Sequence, residues 1–218
     1  MVFVPGINVV EHSYVFRASG SVYQESTFDY ILTTGRKWAG GIIGDFTFQL
    51  DMGANSRFEV ADVFGATANW GVVGIGSVST AADRSDERDS QRIVRVVKGH
   101  LVITTSQFKP MKNIDVYGSP FVLAIGLSGD DIGSALSYAW NHKSLDSPYD
   151  EELTKEDLSF LRNMTFAQYG YVFKDPALRK TFEKFDWYIP DPNLQWSNNM
   201  LTAQEVLFVE LIKLKEAE

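Results

Sequence analysis

Residues 153–190 read LTKEDLSFLRNMTFAQYGYVFKDPALRKTFEKFDWYIP, and this stretch decides the fold class of the C-terminal part. Thr154 is an N-cap, and Asp157 stands three residues on, where its carboxylate can reach back to an orphan amide. Leu153 and Leu158 are spaced as a hydrophobic staple across that cap. Leu158, Leu161, Met164 and Phe166 or Ala167 then share one side of a helix that should close near Gly170. Asp175-Pro176 opens a second, shorter helix with Leu178, Phe182 and Phe185 as its apolar face, and Pro190 and Pro192 end it. The same device returns at Leu201-Thr202-Ala203-Gln204-Glu205-Val206. There Leu207, Leu211 and Leu214, flanked by Phe208 and Ile212, make the expected buried stripe. A small domain of at least three helices follows.

Working outward, residues 1–127 read as strands. Asp45-Phe46-Thr47-Phe48-Gln49-Leu50-Asp51 alternates apolar and polar, as a strand does with one face on a core and one in water. Val10 to Phe16 and Phe28 to Leu32 alternate in the same way. Arg57–Val63, Gly71–Val78, Gln91–Lys98, Leu101–Phe108 and Phe121–Ile125 are further candidates, with glycines such as Gly53, Gly65 and Gly99 as punctuation. Many short strands without intervening helices point to an antiparallel β-sandwich. The expected fold class is therefore α+β: a sandwich over 1–127, a bridging helix and linker over 128–149, and a helical domain over 150–218. Thr80 to Ser90 (TAADRSDERDS) lacks apolar periodicity and reads as a solvated loop.

Composition narrows the function. The 218 residues are 44% apolar and 13% aromatic, ample for a packed core. No apolar run is long enough to span a bilayer as a helix. Met1-Val2-Phe3-Val4-Pro5-Gly6 lacks the charged and apolar regions of a secretory signal, so either the protein is cytoplasmic or its signal is absent from this sequence. Zero cysteines exclude disulfides, thiol nucleophiles and thiolate metal sites. Residues 1–127 carry 11 basic and 12 acidic groups (net −1), whereas 128–218 carry 9 and 16 (net −7). So acidic a helical part repels a phosphate backbone, and no nucleic-acid partner is expected.

No reactive constellation stands out, and neither a cofactor nor a catalytic residue is assigned. His12, His100 and His142 lack metal-ligand spacing and are expected to be structural. Gly74-Ile75-Gly76 lacks the third glycine and the following helix of a nucleotide loop. The paired carboxylates Asp130-Asp131, Asp150-Glu151-Glu152 and Glu156-Asp157 fall at helix starts, where free amides favour the ionised form, so capping is the expected role. Asp130, Asp131 and Asp191 with Asn193 lack a full calcium-loop pattern. Five rings, Tyr169, Tyr171, Trp187, Tyr188 and Trp196, lie within a short span. They could pack a small core or present flat faces to a sugar ring. Tyr188, Trp196, Trp187 and Tyr169 are the candidate ligand-binding residues, Tyr188 and Trp196 foremost.

Two resemblances add to this. Phe166-Ala167-Gln168-Tyr169-Gly170, with Leu161-Arg162-Asn163, Tyr171-Val172-Phe173-Lys174, Leu178-Arg179, Asp186-Trp187-Tyr188 and Leu201-Thr202, resembles the YARHG domain. In that domain's naming motif an arginine and a histidine stand where this chain has Gln168 and Tyr169, so acid–base or anion-binding work by those groups is not carried over. Tyr30 to Gly40, Ile43-Gly44-Asp45-Phe46, Val9 to His12, Phe108-Lys109-Pro110 and Ile114-Asp115-Val116 resemble a β-rich family of unknown function often found before YARHG domains. The resemblance implies a bacterial, extracytoplasmic setting: periplasm or cell surface. The function expected is a non-catalytic envelope module that binds a cell-wall glycan or an envelope protein. The alternative is an envelope hydrolase using two converging carboxylates, at least one of them buried. A third reading, a structural domain of a larger surface protein, predicts an exposed apolar patch on the sheet.

Overall fold

The computed structural model describes Gly6 and residues 19–21, 24–37, 39–80, 91–119 and 154–217. The expected strands at Val10–Phe16 and Phe121–Ile125, the bridging helix, the linker and most of the Thr80–Ser90 loop lie outside them. Among the described residues seven strands form: β1 (Ser19–Ser21), β2 (Gln24–Tyr30), β3 (Ile43–Leu50), β4 (Ser56–Ala61), β5 (Asn69–Thr80), β6 (Gln91–Phe108) and β7 (Ile114–Ser119). Among the described residues three α-helices follow: α1 (Lys155–Ala167), α2 (Pro176–Phe182) and α3 (Ala203–Glu216). The α+β class, antiparallel sheet first and helices after, is the observed one.

The described strands make one continuous sheet, in the order β1-β2-β7-β4-β6-β3, with β5 on the other side of β6. A sandwich would have two separate sheets; here β6 joins the parts that would have been layered. Its first half pairs with β4 (Val94 opposite Phe58) and its second with β3 (Ile103 opposite Phe48). Gln91–Lys98 and Leu101–Phe108, expected as two strands with Gly99 between them, are one strand of 18 residues. Gly99 bends the ribbon rather than ending it. It lies at φ +100° opposite Gly74 at φ +121°, and a Cβ on Gly99 would sit 1.8 Å from the Val73 carbonyl oxygen. A Cβ on Gly74 would sit 2.1 Å from that of Lys98. The two backbones approach as only paired glycines allow, next to a register shift at Ile75/Gly76. The Gly74-Ile75-Gly76 triplet is thus part of a strand bend.

One face of the sheet is a core of Phe58, Val60, Val94, Val96, Leu101, Ile103, Ile114 and Val116. Phe64 lies against Phe46, Phe48, Trp70 and Phe108, with ring centroids 5.4–6.1 Å apart. The helices have a core of their own: Leu158, Leu161, Met164 and Ala167 of α1 meet Phe182, Trp187, Phe208 and Ile212. Gln168 and Tyr169, just past the end of α1, bond to Glu205 near the start of α3, while Arg162 bonds to Glu216 at the far end. The two helices therefore run antiparallel.

Arg95 joins the two parts. Along β6 it points away from Val94 and Val96, yet it is only 2% exposed. Its Nε donates to the Trp187 carbonyl (3.1 Å), and its terminal nitrogens donate to the carbonyls of Ser56 (3.2 Å), Val96 (2.6 Å) and Gln168. A further bond reaches Asn55 Oδ1 at 2.8 Å. Asn55 is held in the left-handed region (φ 54°) in the β3–β4 turn, and its amide bonds to Val97. Burial, with Arg57 opposite, pulls the guanidinium down to about 10, so it is still charged at neutral pH.

Two substitutions check this architecture. Gly99→Ala forces a side chain into a backbone contact at positive φ and should cost about 2 to 3 kcal/mol in urea unfolding. Arg95→Met strands buried carbonyls and should cost about 2 to 4 kcal/mol. Arg95→Lys should recover little, because an ammonium cannot reproduce the planar fork of donors. Unchanged midpoints would contradict the bend and the clasp respectively.

Candidate functional site

The FAQYG segment sits where α1 ends. Gly170 takes φ +81°, and the amides of Tyr169 and Gly170 turn back to the carbonyls of Phe166 and Ala167. A Cβ on Gly170 would meet the Ile189 carbonyl oxygen at 2.9 Å, so this glycine serves both the helix stop and a close passage of the chain. Asp191 N donates to the Gly170 carbonyl at 2.8 Å, tying the Pro190 segment to the turn.

Gln168 and Tyr169 both face Glu205. Gln168 Nε2 donates to Glu205 Oε1 at 2.6 Å, and the Tyr169 hydroxyl donates to Oε2 at 2.8 Å. Oε2 also accepts the Thr202 amide at 2.7 Å, while Thr202 Oγ1 accepts the Glu205 amide. This capping box was legible in the sequence; the use of the same carboxylate by Gln168 and Tyr169 was not. That demand sets the rotation of α3. With Glu205 turned inward, Phe208, Val209 and Ile212 are its buried apolar residues. Of the expected stripe, the flanking Phe208 and Ile212 are buried, whereas Leu214 is 67% exposed. The Asn55 side chain faces the Tyr169 hydroxyl, so Glu205, Tyr169, Asn55 and Arg95 lie in one row from α3 to the sheet. Burial first, and then the hydrogen bond and charge of Glu205, raise the Tyr169 phenol above its ordinary value.

The four candidate ligand-binding rings separate in the structure. Trp187 is 2% and Tyr188 6% exposed. Trp187 packs against Phe182 and Phe185, and the Tyr188 hydroxyl donates to the Tyr171 carbonyl at 2.9 Å. Both are core residues, because this small domain needs large rings to bury enough surface; neither has a face free for a ligand. Trp196 is half-buried. Phe166, Tyr169 and Tyr171 meet it edge-on with centroids 5.2, 6.1 and 5.6 Å away, and its indole N–H donates to Asn198 Oδ1 at 3.3 Å. Pro192, Asn193, Gln195, Ser197, Asn198 and Asn199 around it in sequence are exposed.

Of the remaining carboxylate candidates, Asp130, Asp131, Asp150, Glu151 and Glu152 lie outside the described residues, and those that are described serve local caps and turns. Asp157 accepts the Thr154 amide and hydroxyl, and Asp175 accepts the Ala177 amide. Asp191 Oδ1 accepts the Asn193 amide within its own turn. Among the described residues no three His, Asp or Glu side chains are grouped as metal ligands. His100 pairs with Val73 in the sheet, and His12 and His142 lie outside the described residues. No described helix is long and apolar enough to cross a membrane.

Comparison with known proteins agrees with the motif. Residues 135–217 match the YARHG domain, beginning 15 residues before the boundary expected at 150. No curated protein matches the chain. Among solved structures, the chain is similar to a "putative nutrient binding protein" of Legionella pneumophila subsp. pneumophila str. Philadelphia 1, at 21% identity and a TM-score of 0.40. The alignment covers 91% of this chain and 55% of that one, so this chain spans about half the length of that protein.

The raised Tyr169 pKa gives a signed prediction. The fold favours the protonated phenol, so its contribution is complete below the ordinary value of 10.0 and is lost as pH rises beyond it. Tyr169→Phe should therefore cost about 1 kcal/mol at pH 8. Above pH 10 it should lose stability less steeply than the parent protein. Arg95 contributes equally to both curves, and denaturant titrations across that range measure the difference. Parallel curves would contradict the assignment.

Proposed function

We propose that the chain is a non-catalytic, extracytoplasmic binding module of a bacterial envelope protein, and that Trp196 is the centre of its contact with a cell-wall glycan. The observation that carries this reading is the setting of Trp196. Three edge-on rings hold it, and polar amide side chains flank it in sequence. Sugars bind where a flat aromatic face takes the apolar side of the ring and nearby amides and hydroxyls fix its orientation. Tyr169 belongs to the contact as the residue that braces Trp196, its hydroxyl being engaged by Glu205. The extracytoplasmic setting rests on the YARHG match. On this reading the domains divide into the sheet over 1–127, the connection over 128–149 and the helical part over 150–218.

Glu205 argues for a structural rather than a hydrolytic use of the buried carboxylate. Both its oxygens accept hydrogen bonds from the chain itself, through Gln168, Tyr169 and the Thr202 amide. A general acid needs its proton free for a leaving group.

Soluble peptidoglycan fragments and other envelope glycans, titrated while tryptophan fluorescence is followed, test the proposal. Trp196→Ala should weaken binding about tenfold or more, with Trp196→Phe intermediate. Circular dichroism should stay at the parent level in both. Binding indifferent to Trp196, or binding only to peptides, would remove the glycan site.

A further inference from the structure

Four strand ends that lie at opposite ends of the sheet by register are brought together at one end of the molecule by the bend in β6 and the short 109–113 connection. β2 ends at Tyr30 beside Ile114, where β7 begins, and β6 ends at Phe108 beside Ile43, where β3 begins. Two loops leave there, residues 31–42 and 109–113. They touch: the Thr33 amide and hydroxyl both donate to Asn113 Oδ1, at 3.4 and 3.0 Å. A Cβ on Gly35 would come within 3.2 Å of the Pro110 ring and 3.3 Å of Ile43. The two loops therefore form one surface.

That surface is unlike the rest of the molecule in two independent ways. Of the seven large apolar side chains exposed among the described residues, Tyr30, Ile31, Ile42 and Met111 belong to this end. Ile31 and Met111 are each 56% exposed and Ile42 is 47% exposed. Single exposed leucines or valines need no explanation, but such a concentration marks an interaction site. The charge of the two loops is also reversed: residues 31–42 and 109–113 contain Arg36, Lys37, Lys109 and Lys112 and no acidic group, in a chain whose net charge is −8, with Asp29, Asp45 and Asp115 on the strand ends beneath them. Those four side chains are exposed.

We propose that this loop surface docks on an anionic lipid bilayer surface, with Ile31, Ile42 and Met111 entering the interface and Arg36, Lys37 and Lys109 meeting lipid phosphates. Apolar tips ringed by cations match the two layers of such a surface, an acyl boundary beneath negative headgroups. A partner offering negative charge alone would leave the three apolar tips without purpose. Such docking would hold the module on a membrane and leave Trp196 to its own ligand; neither proposal depends on the other.

Co-sedimentation of the full chain with phosphatidylcholine vesicles, with and without phosphatidylglycerol, tests this. Binding is expected only with phosphatidylglycerol and should weaken with added salt. Reversing Arg36, Lys37 and Lys109 to Glu should lower partitioning roughly a hundredfold. Replacing Ile31, Ile42 and Met111 with Ser should lower it about tenfold or more. All six side chains are exposed, and the single changes Lys109→Glu and Met111→Ser should act in the same directions if a triple variant fails to fold. Binding to neither vesicle overturns the proposal. So does equal binding to soluble polyphosphate that ignores the serine variant, which would mark a polyanion site. Concentration-dependent self-association abolished by the serine variant, without vesicle binding, would mark a contact between copies instead.

Discussion

A charged guanidinium is costly to remove from water, and Arg95 is almost wholly removed. Five acceptors compensate it, and they come from both parts of the chain: Val96, Ser56 and Asn55 from the sheet, Gln168 and Trp187 from the helical part. Withdrawing the helices would leave the cation with its sheet acceptors alone. The left-handed Asn55, the tight turn before β4 and the position of Trp187 all follow from that one requirement. The sheet and the helices are separate in composition and in core, yet this cation makes their contact specific rather than merely adhesive.

The naming motif has a structural meaning in this chain. Gln168 and Tyr169 stand where the related domain has arginine and histidine, and both turn toward Glu205. An amide and a phenol can donate to a carboxylate as a guanidinium and an imidazole can, without adding charge. The carboxylate that closes the N-terminus of α3 also closes the C-terminus of α1, and the backbone carbonyl of Gln168 receives Arg95. A segment that looked from its residue types like a place for chemistry thus reads as the junction of two helices and a sheet. Trp196, braced on Tyr169, stands at the edge of that junction.

Much of the local structure was written in short spacings. Thr154 with Asp157, Asp175 with Pro176 and Thr202 with Glu205 named three helix starts, because caps are satisfied by residues two or three positions away. Alternation named β3, because pleat geometry is local too. Local signals failed where a distant partner decided. Gly99 reads as punctuation until Gly74 is placed against it. Leu214 reads as core until Glu205 is required inward. Tyr188, beside prolines, reads as core or ligand platform alike until Phe182 and Tyr171 are brought to it.

The boundary between the two sources of information is therefore physical. The amino-acid sequence by itself determined β3 to β6 as strands and α1 to α3 as helices, where those helices begin, the acidic bias of the helical part and the absence of thiol chemistry. These depend on neighbours within a turn or on simple counts. β1 and the central strand β7 carried no alternation that named them. Tertiary structure alone decided that the described strands are one bent sheet, that residues 94–97 of β6 are buried on both faces, how α3 is rotated and which aromatic rings are buried. Those outcomes turn on pairs such as Arg95 and Trp187, 92 positions apart, whose meeting no periodicity encodes.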